Sequence, residues 1–159
     1  MPQTGGAKVL VVGLGNLLLC DDGVGIHAVR ALAEKPPSGA QLMEVGTSVL
    51  GALNEIECAQ AVLALDAVDA GEQPGAVVRF ELSPDERRAA PPSLHELDLA
   101  AALGLLPPDR RPHTVVLGVQ PAAVEPGIGL SPAVRAALPR LLSAVRREVG
   151  DLRRTCSEG

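Results

Sequence analysis

The five consecutive apolar residues Ala61–Leu65 constrain this chain most. A strand with no polar alternation has no side to show to water, so it belongs inside a sheet covered on both faces. The run stops at Asp66, which places a carboxylate at the end of a central strand. Lys8–Gly13 (KVLVVG) is a second buried strand signal, β-branched and closed by glycine. Gln41–Val45 and Thr114–Val119 add two more strands. Ala76–Leu82 alternates and fits either a strand or half of a hairpin.

Helical patterns separate these strands. After the loop GLGNLLLCDDG, residues Val24, Ile26, Val29, Leu32 and Ala33 recur at roughly helical spacing, and Pro36–Gly39 ends the helix. Asp21 or Asp22 would cap its start. A short helix is expected from Val49 to about Cys58. Ser93 followed by Glu96 has the capping-box spacing and opens a helix through Leu103. Ser131–Pro132 begins the last helix, with proline in its first turn. The alternation predicts a single-domain, three-layer α/β/α fold. Its sheet has about five mostly parallel strands, with helices on both faces. Residues 1–150 form the domain, and the polar residues 151–159 read as a frayed tail.

Composition excludes several functions. The chain has one Phe, no Tyr and no Trp, so no aromatic platform exists for stacking bases. Its net charge of −5 is wrong for a non-specific nucleic-acid binder. The apolar run Val9–Val12 near the start is far too short to span a membrane, and no basic-then-apolar signal precedes it. Cys20, Cys58 and Cys156 form neither a CxxC motif nor an even framework, which points to reduced thiols and a cytoplasmic protein.

In doubly covered sheets, ligands gather beyond the carboxyl ends of the strands. Three side chains fall there or beside it: Asp22 after the first strand, Asp66 at the end of the central one, and His95 in the first turn of a helix. Two carboxylates and one imidazole suit a borderline divalent metal with positions left open. Each residue also has an ordinary structural reading. Asp22 is equally a helix cap, Asp66 an Asx-turn residue, and His95 a solvated histidine.

Other motifs carry less. Gly13-Leu14-Gly15-Asn16 sits where a dinucleotide fingerprint would, but Leu18 takes the place of its third glycine. Gly13 and Gly15 then serve a tight turn, with Asn16 tying the loop. Cys20 reads as a small buried hydrophobe. His27 faces away from Asp22 on a helix, and His113 has no carboxylate near it in sequence. Without a Gly-x-Ser-x-Gly elbow or a histidine partner for Cys58, serine or cysteine nucleophiles are unsupported.

The segment Gly13–Gly25 resembles the opening block G-x-G-N-x-(L/M)-x-x-D-(D/E)-x-x-G of the hydrogenase maturation endopeptidases. Further blocks agree: Gly46-Thr47, Leu65-Asp66-Ala67, Ser93–Leu97, Leu117–Pro121 and Glu125–Ser131. The resemblance covers about residues 8 to 145. Glu44 and Val45 depart from the pattern, standing where the family commonly has Asp and Gly.

The resemblance implies an endopeptidase that trims the C-terminal extension of a nickel–iron hydrogenase large-subunit precursor once nickel is in place. Asp22, Asp66 and His95 take the family's ligand positions, engaging nickel brought by the substrate, with zinc or cadmium as surrogates. The same three are its candidate catalytic residues. Either nickel polarises the scissile carbonyl for attack by water, or a carboxylate, Asp22 or Asp66, is the general base. The loops 83–92 and 120–130 are candidate docking elements. No nucleic acid and no membrane are expected as partners. Two other functions fit the same features less fully. One is a non-enzymatic nickel sensor or chaperone. The other is a peptidyl-tRNA hydrolase, whose loop has Pro where Leu17 stands and whose groove is basic.

Overall fold

The computed structural model describes residues 8–85 and 94–158. Five strands form one sheet: β1 (Val9–Leu14), β2 (Ala40–Gly46), β3 (Ala61–Ala67), β4 (Val77–Leu82) and β5 (His113–Val119). Their spatial order is β2-β1-β3-β5-β4. All neighbours are parallel except β4, which runs antiparallel to β5. The helices are α1 (Val24–Leu32), α2 (Leu53–Cys58), α3 (Leu94–Leu105) and α4 (Pro132–Ser157). Turns of 3-10 helix precede α1 at Cys20–Gly23 and α2 at Val49–Ala52.

The period of two along the strands divides the core. Val9, Val11, Leu63, Leu65, Val115 and Leu117 face one side, where α1 and α4 cover them. Leu10, Val12, Val62, Ala64 and Val116 face the other, against Val49, Ile56, Leu99 and Leu103 of the 3-10 turn, α2 and α3. Each side is therefore a separate aliphatic core, and all of β3 is buried. The three-layer architecture and the mostly parallel sheet are as the sequence predicts. The Ala76–Leu82 alternative resolves to an edge strand. It pairs with β5 and is tied to α4 by a two-pronged Arg79–Glu148 ion pair at 3.0 Å.

The expected frayed tail is instead helical. α4 continues to Ser157, and its buried stripe Leu141, Val145, Val149, Leu152 repeats every three or four residues into the polar stretch. That stripe seats the helix end on the sheet.

Between β1 and β3 the connections part. The chain leaves β1 through α1 on one face and returns to β3 from the opposite face through α2. This is the topological switch point, where a crevice opens at the carboxyl ends. Gly15 makes it tight. Its φ is +116°, and a Cβ there would lie 1.9 Å from the Asp22 carbonyl oxygen. Only glycine lets the β1 loop fold directly onto the 3-10 turn.

Candidate metal centre

The crevice gathers the three side chains singled out from the sequence. One ligand atom from each of Asp22, Asp66 and His95 lies within 4.8 Å of the other two. No sequence spacing links them; three different elements carry them. Asp22 sits in the 3-10 turn after β1, Asp66 near the end of β3, and His95 in the first turn of α3. Both acids are buried, and the His95 side chain is 15% exposed.

The structure decides between the alternative readings. Asp22 does not cap α1: that helix has Gly23 at its cap with no side-chain bond. Its Oδ2 accepts from the Asn16 amide at 2.8 Å and lies 3.0 Å from His95 Nε2. Asp66 is inside β3 and its Oδ1 accepts from the adjacent Ala67 amide at 2.9 Å. His95 is partly buried against Asp22 rather than solvated. The capping box that would start α3 involves Ser93, which lies outside the described residues, as does 86–92 of the proline-rich loop. Asn16 ties its loop as expected, accepting from the Leu18 amide at 2.9 Å.

Charge follows from this geometry. Burial pushes the Asp22 carboxyl up, but the bonds from His95 and the Asn16 amide, with the imidazolium charge, outweigh it and hold it below its ordinary value. The bond to Asp22 raises His95, against the pull of burial, and the charges of Asp66, Asp22 and Asp98 add to that rise. The two acids thus favour a positive charge at this point, whether on the imidazole or on a divalent ion. His95 Nε2 is a ligand only when it carries no proton.

Asp21 was missed as a structural keystone. It is fully buried, and its carboxylate accepts from Ala122 N (2.9 Å), Ala123 N (3.1 Å), Ser131 N (2.7 Å) and Ser131 Oγ (2.8 Å). The loop after β5 is thereby fastened to the segment that carries Asp22. A bridge between Leu19 and Gly127 reinforces the join. The doubled acid Asp21–Asp22 was the available signal, since two adjacent acids cannot cap one helix in the same way.

The remaining candidates stay apart from the recess. Glu44 pairs with Arg30 of α1 at 2.9 Å. His113 is half-exposed and meets Glu81 at 3.4 Å, a carboxylate supplied by the neighbouring strand. His27 is half-buried, and burial with the nearby Arg30 and Arg135 charges depresses its pKa. Cys20 is half-buried with φ +49°, so it is a turn residue as much as an apolar one.

A covered α/β sheet with an acid–acid–histidine recess at its switch point defines a metal-competent fold. Residues 26–148 match the hydrogenase maturation protease family, a stretch that holds Asp66 and His95 and begins just after Asp22. The chain is 36% identical over 147 residues to the hydrogenase expression/formation protein HupM of Azotobacter chroococcum, covering 86% of this chain and 68% of that one. It is 31% identical over 150 residues to the hydrogenase 2 maturation protease of Escherichia coli, covering 87% and 91%. The solved hydrogenase maturating endopeptidase HybD from E. coli superposes with a TM-score of 0.79 at 27% identity, covering 91% of this chain and 93% of that one.

The chain belongs to the hydrogenase maturation protease family. It is accordingly a hydrolase of the endopeptidase kind, with a role in hydrogenase maturation. This assignment replaces the peptidyl-tRNA hydrolase and sensor alternatives. Among the described residues, no helix is long and apolar enough to cross a membrane.

Proposed function

We propose that this endopeptidase removes the C-terminal extension of a nickel–iron hydrogenase large-subunit precursor after nickel insertion, and that the substrate's nickel is what it recognises. One observation carries the reading: two carboxylates and an imidazole from three separate elements converge within 4.8 Å. Their donor chemistry is borderline, suited to nickel and equally to zinc or cadmium as surrogates. With only three protein donors, positions remain for ligands that stay with the substrate.

The state of Asp22 bears on the chemistry. A carboxylate held below its ordinary pKa is a good ligand and a poor base. Asp22 and His95 therefore hold the metal, and the substrate's nickel polarises the carbonyl or the attacking water. Asp66, buried at the end of β3, is the third donor. His95 Nε2 engages the metal only when it carries no proton. The encounter is assigned to the cytoplasm because Cys20, Cys58 and Cys156 are all free thiols. Neither nucleic acid nor a membrane enters it.

The test is cleavage of precursor with and without nickel by wild type and His95→Ala, with the new C-terminus read by mass spectrometry. The expected result is one cut, dependent on nickel, lost by 100-fold or more (about 2.7 kcal/mol) in the variant. Cleavage at the same rate without nickel contradicts the recognition role. Cleavage unchanged in His95→Ala contradicts the site.

A further inference from the structure

Leu18, Val124 and Ile128 are large aliphatic residues left in solvent, at 64%, 52% and 87% exposure. None of them belongs to either aliphatic core. Scattered apolar residues on a surface are ordinary, but these three are held together although Leu18 is far from the other two in sequence. The Leu19–Gly127 bridge joins their segments. Across it the Gly127 amide donates to the Leu18 carbonyl at 2.9 Å and the Cys20 amide to the Gly127 carbonyl at 3.0 Å. The Asp21 amide donates to the Ala123 carbonyl at 3.1 Å, and the Asp21 carboxylate fastens Ala122, Ala123 and Ser131. Backbone fixed in this way sets the three side chains before any partner arrives, so little ordering entropy is left to oppose binding. Aliphatic side chains gathered without a role in the core mark an interaction surface.

The occupant follows from what this surface adjoins. The Leu18 amide donates to the Asn16 side chain, and the Asn16 amide donates to the Asp22 carboxylate. A partner seated on Leu18 therefore lies one short loop from a ligand of the metal centre. On the proposed function, the protein that presents its metal to Asp22 is the precursor. Shape narrows the occupant further. A side chain 87% exposed stands out from the surface and fills a hollow in its partner; a folded body offers such a hollow and an extended tail does not. Charge adds to the match. A Cβ on Gly129, next to Ile128, would stand 3.9 Å from Arg135 Nη2. Among the described residues, the exposed Arg135 side chain has no hydrogen bond or ion pair. Glu125 of the same loop is also exposed, and two points of opposite charge fix the orientation of a partner.

We infer that Leu18, Val124 and Ile128 form a docking platform for the folded body of the precursor, with Ile128 entering an apolar hollow and Arg135 facing a carboxylate at its rim. The inference rests on the proposed function and adds a second contact to it. The metal centre senses nickel; the platform binds the body whether nickel is present or not.

Binding of labelled precursor tests this, measured at equilibrium without nickel and before the cut with it. The variants are Ile128→Lys and the double change Leu18→Ser with Val124→Ser. All three positions are exposed, so Tm and cadmium affinity stay at wild-type values. Affinity falls tenfold or more for both forms of the precursor, and the nickel increment survives. Arg135→Glu lowers both affinities threefold or more and removes most of their salt dependence. Wild-type affinity in both apolar variants overturns the platform and leaves the proposed function standing. A loss confined to nickel-loaded precursor also overturns it, because the side chains would then act through the metal centre. Self-association of wild type that Ile128→Lys abolishes, with precursor binding unchanged, assigns the surface to a second copy and overturns the inference. A nickel increment missing from wild type overturns the proposed function instead, and the platform is still decided on nickel-free precursor.

Discussion

Replacing Asp21 by Asn is nearly isosteric, so its cost isolates the charge and acceptor count of one buried carboxylate. Asp21 Oδ2 accepts three bonds, from Ala122 N, Ala123 N and Ser131 Oγ, and Oδ1 accepts one, from Ser131 N at 2.7 Å. Asparagine keeps one oxygen. If that oxygen takes the three-bond side, its NH2 group faces the Ser131 amide, donor against donor. At least one charge-assisted bond is lost, and such bonds contribute about 1.5–3 kcal/mol each. The expected loss is about 2–3 kcal/mol, or about 4–12 °C in Tm for a chain of this length.

The pH dependence carries a sign. Burial pushes the Asp21 carboxyl up, but the bonds from Ser131, Ala122 and Ala123 outweigh it, leaving the folded pKa below the unfolded value of 3.8. Its stabilisation is complete above that unfolded value and disappears as pH falls through the lower, folded one. Urea denaturation from pH 7 to pH 3 should show wild type and Asp21→Asn converging only at the acid end. A difference under about 0.5 kcal/mol at pH 7, the level of an ordinary surface change, would refute the keystone role. So would a difference that stays constant down to the lowest pH.

Three further outcomes follow from the geometry. Gly25→Ala places a Cβ 2.1 Å from the Leu65 carbonyl oxygen and 2.5 Å from that of Leu14. Backbone cannot yield there, so α1 is forced off the sheet at a cost of about 3 kcal/mol or more; an unchanged denaturation midpoint would contradict the close approach. Leu103→Ala empties a site that is 1% exposed in the core under α3, and should cost about 2–5 kcal/mol. A loss below 1 kcal/mol would mean that α3 packs loosely. Cadmium binding to the free protein should weaken as pH falls through the raised pKa of His95, above 6.5, because proton and metal compete for Nε2. Calorimetry in buffers of different ionisation enthalpy reads the released proton, and pH-independent affinity would remove His95 from the donor set.

The strand framework was legible because burial on both faces leaves a local signature: Ala61–Leu65 carries no polar residue for a solvent face. The site residues were legible because the carboxyl ends of such strands are where a chain can place side chains without breaking the sheet. Distance in sequence hid the rest. The partners of Asp21 lie 101 to 110 residues away, so the doubled acid marks one of the pair as something other than a cap without naming what it clasps. β4 finds β5 more than 30 residues later in the chain, with α3 between them, so no hairpin turn marks the pairing. The helix end at 151–157 reads as polar by count, yet Leu152 continues the buried stripe and outweighs the count. The partners of Glu44 and His113, Arg30 and Glu81, likewise become visible only once the strands are in register.

The central claim is that Asp22, Asp66 and His95 read nickel in the precursor. It is tested most directly by the nickel increment in binding. A labelled precursor, loaded with nickel or free of it, is mixed with wild type and with His95→Ala, and association is followed by stopped-flow fluorescence before the single cut. The account predicts that nickel tightens binding to wild type by tenfold or more, about 1.4 kcal/mol, and that His95→Ala removes that increment while leaving the nickel-free affinity unchanged. An equal increment in both proteins would contradict it, because the metal would then be read elsewhere on the molecule.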